Sequence, residues 1–167
     1  KSDYEILNYH KNTGYSESRV IPTTKFTYGS TGHKDDHPID NIFDYESSSD
    51  WVSSFENKDG KYASIFINFT QPAKLEEFIL GATLIDHGLI EYFHGYPTRL
   101  NVYVANDDEQ LKLKATFVGK PGQVDFFQFQ FSQPVLCTRL QLEFVNVLQY
   151  ITYENNKAVP CVKYLKL

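Results

Sequence analysis

The stretch FFQFQF, ending at Phe131, limits the fold more than any other part of the chain. It puts Phe127, Phe129 and Phe131 on one side of an extended backbone and Gln128 and Gln130 on the other. Alternation of period two suits a half-buried strand and leaves a helix with no coherent apolar face. The pattern recurs. SIFINFT from Ser64 aligns Ile65, Ile67 and Phe69, and RLNVYVA from Arg99 aligns Leu100, Val102 and Val104. LKLKATF aligns Leu111, Leu113, Ala115 and Phe117. TRLQLEF sets Leu140, Leu142 and Phe144 against Arg139, Gln141 and Glu143, and CVKYLKL closes the chain as a further strand. Turn residues bound these runs in NKDGK, TQPA, ANDDEQ, GKPGQ and FSQP. No long window has a helical period. The expectation is an all-β, antiparallel sandwich of about eight strands.

Composition agrees. Aromatic residues make up 16% of the 167 residues, mostly as 12 Tyr and 13 Phe, and Met is absent, a bias toward strands. This length suits one domain with a single core. The net charge of −5 and the lack of a basic block argue against nucleic acid as a partner. No apolar run approaches a membrane span, and the opening KSDYEILNYH does not read as a signal peptide. The chain starts with Lys, so a larger parent protein with other domains is expected. Cys137 and Cys161 lie in strand-like runs, outside any C-x-x-C pair, and suit either one disulfide or two buried thiols.

Four stretches look least strand-like: residues 1–18, 29–54, 86–98 and 146–158. Loops on a rigid sandwich usually carry binding, so these are the candidate functional loops. Residues 84–99 combine His87, Glu91, Tyr92, Phe93, His94, Tyr96 and Arg99, an aromatic and hydrogen-bonding set suited to a sugar. His33 and His37 have a zinc-like spacing, but Gly32 and Pro38 break a helix there, and they read better as the rim of a sugar site. Tyr150, Tyr153, Asn155 and Asn156 sit in the last long loop. NFT at Asn68 fits a glycosylation sequon. The acids of DNIFDYESSSDW lie on one turn and would stay ionised in water, which does not suit the paired carboxylates of glycoside hydrolysis. No nucleophile elbow or phosphate-binding glycine loop is present.

The same acidic stretch carries a resemblance. NIFDYESSSDW is similar to the NAIDGDPNTRW segment of the discoidin, or coagulation factor 5/8 type C, domains, which include the family-32 carbohydrate-binding modules. Asn41, Phe43, Asp44, Ser49 and Trp51 match it, and Tyr45 replaces the usual Gly. YASIFINFTQPAKLEEFIL, YPTRLNVYVANDDEQLKLKATF, FSQPVLCTRLQLEF and CVKYLKL resemble later family segments in the same order, from about residue 21 to the end. Asn68 stands where Asp is usual and Tyr164 where Glu is usual. The resemblance implies a jelly-roll β-sandwich of the galactose-binding type over residues 21–167, with residues 1–20 as an N-terminal extension or linker packing on it. It implies a non-catalytic module that binds glycan through loops at one end, in an extracellular or cell-surface protein. It also implies a structural calcium ion held by Asn41 through its carbonyl, Asp44, Glu46 and Ser49, and a core role for Trp51. By position, the Arg of galactose-binding members falls on Tyr96, with Arg99 nearby. The alternative is a protein–protein adhesion or scaffold module on the same fold. A phospholipid-binding module would need Leu89, Ile90 and Phe93 as apolar spikes beside basic residues, and such neighbours are few.

Overall fold

The computed structural model describes residues 3–11, 20–45, 49–55, 59–87, 90–119, 126–147 and 159–167, with backbone alone for Lys11 and for residues 83–87 and 90–94. Ten strands form among the described residues: β1 (Glu5–Asn8), β2 (His10–Lys11), β3 (Phe26–Ser30), β4 (Trp51–Val52), β5 (Ser64–His87), β6 (Ile90–His94), β7 (Pro97–Ala105), β8 (Lys112–Val118), β9 (Phe126–Val147) and β10 (Cys161–Lys166). Two 3-10 turns, Thr23–Lys25 and Ile39–Ile42, are the helical pieces among the described residues.

β5 and β9 build the sandwich. They pair antiparallel along most of their length, from Ser64 opposite Glu143 to Gly81 opposite Phe126. The register shifts between Asn68 and Ala73 and again between Leu75 and Glu77. Each strand therefore bends from one sheet into the other, as strands do at sandwich corners. The first half of β5 and the second half of β9 lie in a sheet with β3, β7, β8 and β1, while their other halves join β2, β10 and β4. TQPA and FSQP, expected to end strands, are the outer corners of these two continuous strands. Pro72 and Pro134 are exposed there, where a missing N–H costs no ladder bond.

The period-two sets face the core. Ile65, Ile67, Leu100, Val102, Phe117, Phe127, Phe129, Leu142 and Phe144 are buried. Phe78 stacks on Phe129 at 4.8 Å between ring centroids, and Phe117 of the other sheet meets both rings edge-on. Trp51 is fully buried and packs against Phe144 at 5.8 Å, as expected of a core tryptophan. Both cysteines are buried free thiols. Burial pushes Cys137 up to about 11 and Cys161 up to about 12, so both stay protonated.

Three expectations about loops change. Residues 84–99 are not a loop: β5 and β6 pair there as a hairpin from Thr83 opposite His94 to His87 opposite Ile90. Gly95 at φ +75° then turns the chain into β7. The expected N-terminal extension contributes strands, since β1 runs parallel to β8 from Glu5 beside Ala115, and β2 pairs with β9. Tyr9 between them enters the core against Phe127 and Phe129 and donates its hydroxyl to the Pro97 carbonyl at 2.8 Å. Gly119 leaves the space that the Tyr9 ring fills. Within residues 29–54, β3 extends to Ser30 and β4 crosses the end of β10.

Candidate functional site

The topology gathers most of the described candidate residues at one end of the sandwich. β3 leaves its sheet at Ser30, beside Ile65 at the start of β5. The segment that follows carries His33 and His37 and is tied down by backbone bonds. Lys34 donates to the Val52 carbonyl at 2.9 Å, and Val52 donates to the His37 carbonyl at 3.2 Å. Val52 pairs with Cys161, whose own N–H donates to the Gly95 carbonyl at 3.0 Å. The turn after the β5–β6 hairpin is thereby held beside β4 and β10. The Trp51 indole N–H donates to the Gly32 carbonyl at 3.2 Å, so the core tryptophan also anchors this segment from beneath.

Within that segment the clearest polar constellation is one the sequence reading did not assemble. The His37 Nδ1 lies 2.6 Å from the Asp50 Oδ1. The Asp50 side chain is 14% exposed and that of His37 is 43% exposed. The main chain at Asp50 is itself held, because the Asn41 amide donates to its backbone carbonyl at 2.8 Å. The two partners lie thirteen residues apart in sequence. The 3-10 turn Ile39–Ile42 and the following corner fold the chain back on itself and bring them together.

The expected calcium turn starts at that 3-10 turn. Ser49 Oγ donates toward the Asn41 carbonyl at 3.4 Å and lies 3.2 Å from Asp44 Oδ1. A backbone carbonyl, a carboxylate and a hydroxyl thus face one another at separations that adjacent ligands of one hard cation adopt. That donor chemistry suits calcium, and these residues fit part of such a site. Glu46 lies outside the described residues. Among the described residues, no three His, Cys, Asp or Glu side chains gather, so any ion here would rest on mixed oxygen donors. On the closing strand the Tyr164 ring lies against Gly81, where a Cβ would meet it at 2.3 Å. The Lys166 ammonium stands 5.2 Å from that ring and 5.4 Å from the Tyr45 ring. Tyr45 takes φ +58° and directs its hydroxyl to the Leu165 carbonyl at 3.4 Å.

The other expected ligand residues divide. His33 is exposed on the segment just described. Arg99, half-buried at the start of β7, pairs in register with Val118 and Asn146. For His87, Glu91, Tyr92 and His94 the structure gives strand positions in the β5–β6 hairpin and no side-chain placement. Tyr150 and Tyr153 lie outside the described residues. Tyr96 does not face solvent. It is 2% exposed and packs on Phe127 at 4.8 Å, so its ring is part of the core. It follows the turn at Gly95, beside Cys161, and enters the core next to Pro97, whose carbonyl accepts the Tyr9 hydroxyl. Asp50, read from sequence only as one acid of a turn, is the residue that was missed. Its place immediately before the core Trp51 was the available signal.

No protein-family model matches the sequence, and no curated protein matches it at a significant level. Solved structures do match. The two family-32 carbohydrate-binding modules of ZmpB from Clostridium perfringens align over 99% of this chain with a TM-score of 0.79 and 15% identity. The chain spans 41% of the length of that structure. The family-32 module of C. perfringens NanJ, determined in complex with galactose, aligns over 88% of this chain and 96% of its own, with a TM-score of 0.68 and 12% identity. Chitosan-binding module 1 of a chitosanase/glucanase from Paenibacillus sp. IK-5 aligns over 89% of this chain and 97% of its own, with a TM-score of 0.62 and 12% identity. The chain has the galactose-binding-like β-sandwich fold of these carbohydrate-binding modules.

Proposed function

We propose that this chain is a non-catalytic carbohydrate-binding module of a larger, secreted or cell-surface protein. Its ligand is a glycan, held by the end of the sandwich that carries His33, His37, the turn at Gly95 and the start of β10. The observation that carries this reading is the His37–Asp50 pair. It is a polar group oriented by a second side chain and left open to solvent on the loops of a rigid sandwich. Sugar recognition needs such fixed donors and acceptors for hydroxyl groups, and pre-fixing them lowers the entropy lost on binding. Structural neighbours determined with galactose or GalNAc support the same ligand class. A single open site of this kind binds weakly, and repeated modules in a parent protein would raise the avidity.

The calcium ion belongs to the same proposal. It would be held by the Asn41 carbonyl, Asp44, Ser49 and Glu46, and its charge would hold the corner that carries Asp50. A glycan array probed with the isolated chain tests the function. Selective retention on one glycan class supports it. A blank array, together with a specific protein partner captured from the parent assembly, favours the scaffold reading.

A further inference from the structure

We infer that Asp50 is a positioning residue that fixes the tautomer of His37 and so selects for a ligand hydroxyl that donates its proton. The inference rests on the proposed glycan-binding reading and deepens it. A carboxylate only accepts hydrogen bonds, so at 2.6 Å from Asp50 Oδ1 the proton sits on His37 Nδ1. In the neutral imidazole the other nitrogen, Nε2, then holds a lone pair and accepts. Nε2 has no hydrogen-bond partner among the described residues, and the side chain is 43% exposed. The main chain at Asp50 is held in place, because Asn41 donates to its backbone carbonyl at 2.8 Å and Trp51, the next residue, is anchored in the core, so the carboxylate starts from a fixed Cα beside His37. The site therefore presents a fixed acceptor. A sugar hydroxyl satisfies it by donating, whereas fluorine or a methyl ether at the same carbon does not.

Two readouts test this. Nitrogen-15 NMR of the neutral His37 imidazole in the unliganded protein should show Nδ1 protonated and Nε2 bare. In D50N, which offers an amide N–H as well as an acceptor, and in D50A, that preference should be lost. A proton on Nε2 of the neutral imidazole in the unmodified protein overturns the inference. Calorimetry with galactose and GalNAc, and with their single deoxyfluoro derivatives, supplies the second readout. In the unmodified protein one fluorinated position should weaken binding about ten-fold, the effect of one lost hydrogen bond. In H37A, D50N and D50A the parent sugar should bind about ten-fold more weakly, and the same fluorination should cost nothing further. A penalty that persists undiminished in D50N and D50A, with their melting unchanged, overturns the positioning role and leaves glycan binding standing. Failure of the unmodified protein to bind either sugar overturns the hydroxyl selection, and a blank glycan array separately overturns the binding reading.

Discussion

Tyr45 takes φ +58°, a conformation that costs an L residue roughly 1–2 kcal/mol. A glycine in this conformation would have no such cost. Here the side chain offsets the strain: its hydroxyl reaches the Leu165 carbonyl, and the Lys166 ammonium lies over its ring. Gly95 is the opposite case. It has φ +75°, and a Cβ there would stand 2.6 Å from the Cys161 Cβ and 2.7 Å from the Cys161 backbone nitrogen. Backbone cannot yield as a flexible side chain can. Gly95→Ala should therefore destabilise the fold by about 2 kcal/mol or more in urea unfolding. Gly29→Ala, where a Cβ would meet nothing within 4 Å, is the control and should be close to neutral. Equal stability of the two variants would contradict this account of the turn. Single residues were only partly legible in the sequence. The burial of Trp51 could be read from its neighbours. The pairing of His37 with Asp50 could not, because it depends on a corner whose geometry leaves no periodic trace.

The inward sets of the strands were legible because a period of two assigns faces without knowledge of partners. Ile65, Ile67, Leu140, Leu142, Phe127, Phe129 and Phe131 are buried as that period requires. Strand ends were less legible. Pro72 and Pro134 looked like stops and are bends, since a proline on an exposed corner leaves pairing intact on both sides. Residues 84–99 looked like a loop because their polar and aromatic residues mask the hairpin register. The acidic turn is the element at which the proposed calcium can be tested. Three oxygen donors of different kinds meet at Asn41, Asp44 and Ser49. A cation that binds only the folded chain raises its stability by mass action. Addition of a calcium chelator should lower the melting temperature by several degrees, and added calcium should restore it. A melting temperature indifferent to both would contradict the ion and leave Ser49 as the group that satisfies the turn.

At the scale of the whole molecule, the two long bent strands run through both layers, and one end of the sandwich differs from the other. The far end holds the corners of β5 and β9 and shallow surface hollows of about 220 and 320 Å³ around Ile21 and Lys74. The near end holds the His37–Asp50 pair, the turn at Gly95 and the start of β10. The sequence pointed to the near end through its loops, although several of the side chains expected there are core or lie in strands. Placement of glycan binding at the near end is the central claim, and an amide NMR titration of the folded chain with galactose tests it most directly. Shifts are expected at residues 32–37, 50–53, 95–97 and 159–161 that saturate together, with residues 69–75 and 131–138 unmoved. Saturable shifts confined to the corner residues, or none anywhere with every glycan the array retains, would contradict it.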